Sequence, residues 1–336
     1  MCLKAAREAR VLRCCLPLIV GDLGVLRAHA RRMRLPGGLR AVPAGDVLPP
    51  PSGPSDPVSV LDLANVPACQ RVFGKVRPDL GRAAGEYVER AVALVREGRA
   101  AAIATAPLNK EALQAGGYPF PGHTEMLAHL LGAKRPVMML ARGRFRVAHL
   151  STHLPLRKAL RHVRRERILY VIRLLAEVLE VLDGRPPRLA VAGLNPHAGE
   201  GGLFGREEIE EIAPAIRRAR GEGREVAGPE PPDTVFAKLR GGLFDGVVAM
   251  YHDQGHIAGK LMCFRFDAQG RGAVRGVNVT LGLPIVRTSV EHGTAFDLAG
   301  RGRADPSSMA DAAVLAARMV RGRGSNSGGR SKIGRS

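Results

Sequence analysis

Three histidines stand just past apolar runs: His153 in HLSTHLPLRKA, His197 in VAGLNPHAGEGG and His252 in VVAMYHDQG. If those runs are strands, three imidazoles from equivalent strand ends could bind one divalent metal and leave a coordination position open. Such a site polarises a carbonyl or alkoxide oxygen as a Lewis acid. Singly, each histidine is more often structural or merely solvent-exposed. Asp253 follows His252 directly, and Asp233 sits in GPEPPDTVF. Either carboxylate could orient a metal-bound imidazole or accept a proton. Asp233 could as well be the N-cap of a following helix.

A second group is cationic and amide-rich: Lys260, Asn278 in GVNVTLGLP and Arg287 in IVRTSV. Arginine offers a fork and lysine a point charge to phosphate or carboxylate. His123 and Thr124 follow a Pro-Gly turn before a helix, whose free N–H groups favour an anion; a capping Thr124 without ligand is the alternative. Lys110 in TAPLNKEAL has the same strand-turn-helix setting and faces either a cleft or solvent. The third group is EHGTAFDLAGRG from Glu291. Its small residues permit close backbone approach to a ligand, and Asp297 could accept hydrogen bonds from hydroxyls.

The elements that must carry these groups alternate along the chain. Strands are expected at Leu16–Val20, Ala100–Ala104, Val137–Leu140, Val147–Leu150, Leu189–Ala192 and Gly246–Met250. Helices are expected from Lys110, over Arg164–Leu182 and Glu207–Arg218, and over Met309–Val320. Such interleaving predicts an α/β fold with a largely parallel sheet and ligands at the strand carboxyl ends. The Leu16–Val20 run reads as a buried parallel strand, and Leu48–Pro57 as a surface loop. From Arg321 onward almost no apolar side chain remains, which predicts a disordered basic tail.

Composition excludes several classes. The chain has 336 residues with 45% hydrophobic and 24% charged side chains, enough for a sizeable core without disulfide or metal staples. No apolar run approaches the roughly 18–20 residues of a membrane span. The cysteines (Cys2, Cys14, Cys15, Cys69 and Cys263) follow no zinc-binding spacing, and five is odd. They fit a reducing compartment and a cytoplasmic location. Lys and Arg number 51 against 31 acidic residues, a net +20. That basicity suggests nucleic acid or anionic metabolites, but with no Trp and 4% aromatics the stacking platforms of single-strand binders are lacking. Most of the arginines read as solvated helix faces.

Together the blocks TAPLNK, PFPGHTE, STHLPL, GLNPHAGEGGLFGREE, PPDTVF, AMYHDQG and VNVTLGLPIVRTSVEHGTAFDLAGRG resemble the 4-hydroxythreonine-4-phosphate dehydrogenase family, in order, from about Thr105 to Asp305. The resemblance implies an isocitrate/isopropylmalate-dehydrogenase-like fold: a discontinuous cofactor-side domain over 1–117 and 293–320, a metal, substrate and dimer domain over 118–292, and the tail 321–336. It implies a homodimer, NAD, and one divalent metal (Zn, Mg or Co) per site. It further implies oxidation of the C3 hydroxyl of a phosphorylated four-carbon acid, then loss of CO2. By motif, His153, His197 and His252 match metal ligands contributed across the dimer interface. His123, Thr124, Lys260, Asn278 and Arg287 match substrate contacts. Asp233 and Asp253 match acidic active-site positions, with Lys110 as a further catalytic candidate. His292, Gly293, Thr294, Ala295 and Asp297 fall in a loop similar to the adenine-side cofactor loop of related enzymes. Members usually open with a strand and a glycine loop like GDPAGIGPE, which this chain lacks. The expectation is a true start further upstream, with a truncated, inactive paralogue or a basic nucleic-acid-binding protein as alternatives. The long interval from Lys260 to Asn278 and the HDQGHIAGK run look more like the branch acting on 4-phospho-D-threonate or 4-phospho-D-erythronate.

Overall fold

A computed structural model describes residues 1–43, 46, 53–67, 73–266, 268 and 272–327. Cys69 and the first half of the expected Leu48–Pro57 loop lie outside the described residues. The chain packs as two compact units, Met1–Lys134 with Leu283–Arg318, and Arg135–Gly282 with the chain from Met319 onward.

In the first unit, Val58–Asp62 is the middle strand of a parallel three-stranded sheet, between Leu18–Gly21 and Leu39–Ala41. The Leu18–Gly21 strand is parallel, as expected, but it is an edge whose first three residues are half-buried rather than buried. Asp22 ends it and caps the Leu23–Arg32 helix, accepting the Val25 N–H at 2.7 Å. Ala102–Thr105 and Val286–Val290 form a second parallel pair. They bring Thr105 opposite Ser289 and place Arg287 inside.

In the second unit six strands lie in the order Val277–Leu281, Val137–Arg142, Phe145–His149, Gly246–Ala249, Leu189–Ala192, Val226–Glu230. Among the first three each neighbouring pair is antiparallel; from Phe145–His149 onward the neighbours are parallel. The two inner parallel strands, Leu189–Ala192 and Gly246–Ala249, are apolar on both faces, as strands covered by helices must be. Arg165–Asp183 buries eight side chains at three- and four-residue spacing, from Ile168 to Leu182. Its carboxyl end is pinned where Arg146 Nη2 donates to Asp183 Oδ1 at 2.9 Å. The expected helix over Glu207–Arg218 begins instead as one wide turn, Glu208–Ile212, before Ala213–Gly221. Pro214 has no N–H to close the regular ladder there.

The closing helix runs over Ser307–Ser327, past the point where disorder is expected. Composition misses the reason. A side chain at Gly322 would lie 2.1 Å from the Val181 carbonyl oxygen, so glycine there lets this helix approach the backbone of Arg165–Asp183. Residues 328–336 lie outside the described residues. The long interval before Asn278 contains an antiparallel hairpin, Phe264–Phe266 with Gly272–Val274.

Candidate functional site

Four parallel strands end at one edge of the second unit's sheet, and the segments leaving them carry His153, His252, His197 and Asp233 in that spatial order. Neighbouring strands lie about 4.8 Å apart, so His153 and His252 emerge side by side and His197 one strand further on. The His153 and His252 ring centroids are 5.6 Å apart. With Ser151, Thr152, Tyr251 and Asp253 they line a cleft of about 230 Å³ whose apolar side is Leu154, Leu156 and Ala159. His252 Nδ1 lies 2.6 Å from Asp253 Oδ1. The imidazole donates that N–H to the carboxylate and keeps its Nε2 lone pair for a ligand.

Two of these histidines are held in backbone conformations that side chains avoid. His153 has φ 47° and His197 φ 52°, and the left-handed run continues through Ala198, Gly199, Glu200 and Gly201. Each non-glycine residue there costs roughly 1–2 kcal/mol, so the surroundings must impose the turn. Glu208, 3% exposed, does so. Its Oε1 accepts the Leu194 and Asn195 N–H groups at 2.7 Å each, and its Oε2 accepts from Asn195 Nδ2 at 2.9 Å. Gln254 ties the two inner strand ends: its Nε2 donates to the Gly193 oxygen, and its Oε1 accepts the Met250 N–H, both at 2.7 Å.

Within the chain two of the three expected imidazoles meet and the third does not. Among the described residues no three His, Cys, Asp or Glu side chains converge on a cation position. His197 points along its own exposed loop, 6.4 Å from the Phe204 ring. Asp233 is exposed and does not cap the Val235–Arg240 helix, whose N-cap position is Thr234. Lys260 sits two turns beyond His252 on the His252–Cys263 helix, about 12 Å along its axis, its ammonium 5.8 Å from the Phe264 ring centroid. Asn278 Oδ1 is buried with no hydrogen-bond partner among the described residues.

The anion-binding candidates of the first unit form their own group. Gly122, not Thr124, is the N-cap residue of the His123–Leu131 helix, so His123 and Thr124 occupy its first turn. Arg287 is 3% exposed and donates from Nη2 to Thr105 Oγ1 at 2.7 Å. Burial pushes its guanidinium down to about 10, against the pull of Glu125 and Glu291. Burial, and then Arg287, push the His123 imidazole down to about 3. A buried cation beside a neutral imidazole and an open helix start suits a phosphate or carboxylate. Lys110 is exposed at the first position of Lys110–Ala115, where Asn109 is the cap. In the His292–Asp297 loop, His292 Nδ1 lies 3.0 Å from the Gly293 oxygen and Ala295 has φ 47°. Nothing occupies the space beside Gly293, and Asp297 is exposed. Arg32 Nε holds the segment that follows, donating to the Gly300 oxygen at 2.8 Å.

Sequence reasoning passed over His149 and His256. The rings of His256 and His252 stack at 3.9 Å and 10°, and His149 packs on His256 at 4.4 Å. Burial holds His149 well below the usual imidazole range and His256 down to about 4. The signal was present in the four-residue spacing of His252 and His256, which puts both on one helix face.

Comparison with known proteins identifies the family. Residues 13–316 match the family described as pyridoxal phosphate biosynthetic protein PdxA. The D-threonate 4-phosphate dehydrogenase of Cupriavidus necator is 46% identical over 299 residues, 89% of this chain and 86% of that protein. The 4-hydroxythreonine-4-phosphate dehydrogenase of Geobacter metallireducens is 44% identical over 96% of this chain and 91% of its own. A crystal structure of 4-hydroxythreonine-4-phosphate dehydrogenase from Klebsiella pneumoniae superposes with a TM-score of 0.79 at 41% identity, covering 95% of this chain and 94% of that one.

Proposed function

Because the chain belongs to the PdxA family, we propose that it is a dehydrogenase that oxidises a phosphorylated four-carbon hydroxy acid with NAD and a divalent metal, the acid then losing CO2. The observation that carries the metal part is the His153–His252 pair at 5.6 Å with Asp253 behind His252. Two imidazoles and a carboxylate hydrogen-bonded to one of them suit Zn, Co or Mg in the order of ligand softness, with Mg the poorest match.

On this reading His153 and His252 hold the metal from one copy, and His197 reaches it from a second copy. The helices that follow His153 and His252 each carry an exposed apolar pair, Leu156 with Leu160 and Ile257 with Leu261, four residues apart. They supply the self-complementary face that a homodimer needs. When bound, the cation supplies Lewis acidity to the substrate hydroxyl and carboxylate oxygens, and NAD supplies the hydride acceptor. Arg287, His123 and Thr124 grip the phosphate, with Lys260 and Asn278 as further substrate contacts. Remote grip of this kind positions the reacting carbon. Asp233 and Lys110 are the candidates for moving the hydroxyl proton, and Asp253 keeps His252 in its ligating tautomer. The His292–Asp297 loop, with Gly293, Thr294 and Ala295 leaving its backbone open, receives the adenine side of NAD.

The substrate we favour is 4-phospho-D-threonate or 4-phospho-D-erythronate over 4-phosphohydroxy-L-threonine. The HDQGHIAGK run and the hairpin before Asn278 support that choice, as does the Cupriavidus relative. The test is NADH release with each phosphorylated acid, with Zn²⁺ or Co²⁺ present, for the natural sequence and for His153→Ala and His252→Ala. Turnover of the threonate or erythronate ester, lost by at least 100-fold in both variants, is expected. Full turnover in both would remove the metal role, and a preference for the 4-phosphohydroxy-L-threonine would reassign the substrate.

A further inference from the structure

We propose that His256 and His149 are positioning residues that set the ring plane of His252, an inference that rests on His252 being a metal ligand. His252 opens the His252–Cys263 helix with one ring edge on Asp253 and the other toward the cleft. One face of the ring is covered by His256, one helical turn on, at 3.9 Å between centroids and 10° between planes. His256 cannot rotate freely beneath it. Its Nδ1–H donates to the His252 carbonyl oxygen at 3.2 Å, tying the side chain to the backbone of the residue it supports.

His149 backs this stack from the sheet. It is the last residue of Phe145–His149, is 1% exposed, and lies 4.4 Å from the His256 ring at 42°. Its Nδ1–H points to the Met138 oxygen at 3.4 Å, while Nε2 is buried with no hydrogen-bond partner among the described residues. That nitrogen is aimed at the turn between His252 and His256: a side-chain carbon added to Gly255 would sit 2.4 Å from it. A leucine at 149 would fill the same space without burying an unpaired ring nitrogen, so stability alone does not explain a histidine there. A rigid planar ring that fits the narrow gap over Gly255 and props His256 does.

His252 is thereby restrained in three ways: an edge hydrogen bond, a stacked face, and a wall behind the stacking ring. A ligand ring already fixed in its binding orientation loses little freedom when the metal arrives, and removal of such outer partners typically weakens metal binding roughly 10- to 100-fold.

The test uses the full-length protein and Co²⁺, whose visible absorption reports ligand geometry without any turnover. In His256→Leu the Co²⁺ dissociation constant is expected to rise roughly 10- to 100-fold with an altered spectrum. His256→Phe keeps a stackable ring and is expected to regain most of the affinity. His149→Leu, which removes the orphan nitrogen, is expected to bind Co²⁺ more weakly while melting no lower than the natural sequence. It decides the matter if His256→Leu fails to fold. Natural affinity and spectrum in the soluble His256→Leu protein, or in His149→Leu, would overturn the positioning role alone. Absence of Co²⁺ uptake by the natural protein would overturn the metal reading and this inference with it.

Discussion

At the scale of single residues, Arg287 shows how burial prepares a group for a ligand. A guanidinium 3% exposed, with the Thr105 hydroxyl 2.7 Å from one nitrogen, is fixed in place before an anion arrives. Replacing it by Met keeps the volume and removes the charge. The expected result is a KM for the phosphorylated acid raised roughly 30-fold, the equivalent of about 2 kcal/mol for a charged hydrogen bond, with the fold unchanged by circular dichroism; an unaltered KM would detach Arg287 from the substrate. His123 beside it is neutral through the whole physiological range, since its imidazole protonates only near 3. Binding should therefore not fall off between pH 8 and 6 on its account. The three metal-ligand candidates were legible because each follows an apolar run that had to be a strand. His149 was not, because a histidine ending a strand looks like ordinary alternation until its neighbour across the sheet is known. Nor could spacing along the chain say that His197 leaves its strand through a left-handed turn and faces away from the other two.

At the scale of elements, what holds the strand ends in place is polar and buried, and it can be tested separately from chemistry. Arg146 and Asp183, with side chains 4% and 13% exposed, join the Phe145–His149 strand to the end of the long helix. Burial by itself would raise the Asp183 carboxyl, and the hydrogen bonds and charge of Arg146 together outweigh it, leaving it below the usual carboxylate range. A depressed carboxylate stabilises the fold above its unfolded pKa of about 3.9 and loses that contribution as pH falls through the folded value. Arg146→Leu should cost about 3 kcal/mol at pH 7 by leaving the carboxylate buried and alone. Without the arginine, burial raises the carboxyl, so the deficit should shrink on acidification toward pH 4. Urea midpoints at both pH values check the sign; a deficit that is constant with pH would rule out the buried charge as its cause. Glu208→Gln is the companion experiment on the His197 turn. A neutral amide has one acceptor oxygen in place of two and leaves buried N–H groups unpaired, so the melting temperature should fall and Co²⁺ affinity should drop with it. The apolar runs from Val137 to Ala249 made most of these elements readable. Val58–Asp62, Val277–Leu281 and Val286–Val290 went unassigned because polar Ser59, Asn278 and Arg287 interrupt them. Pro78–Arg96 went unassigned because Gly81 and Gly85 dilute its apolar stripe.

At the scale of the whole molecule, charge and stoichiometry pull on the same question of what completes the site. Arginines paired with acids on the surface, such as Arg164 with Glu211 and Arg206 with Glu210, add nothing to the net +20. Exposed pairs of this kind contribute little to stability and form no stripe for a phosphodiester backbone. The proposed dimer makes a sharper demand. If His153 and His252 come from one copy and His197 from the other, then His197→Ala and His252→Ala homodimers each contain two broken sites. Mixed and allowed to exchange subunits, they form heterodimers in which one site lacks both His252 and His197 and the other is fully natural: the His197→Ala chain supplies His153 and His252, and the His252→Ala chain supplies His197. Random exchange makes about half the dimers mixed, with one intact site of two, so about a quarter of natural turnover should return. If all three histidines served a site within one chain, each chain of the mixture would still lack a ligand and turnover would stay at the level of the separate variants. The sedimentation coefficient of Leu261→Glu supplies the physical half of the experiment: an exposed leucine at 79% has no role in a monomer's core, so a charge there should split the dimer and abolish Co²⁺ binding together, whereas a variant that still sediments as a dimer and still binds Co²⁺ would move the interface off this helix.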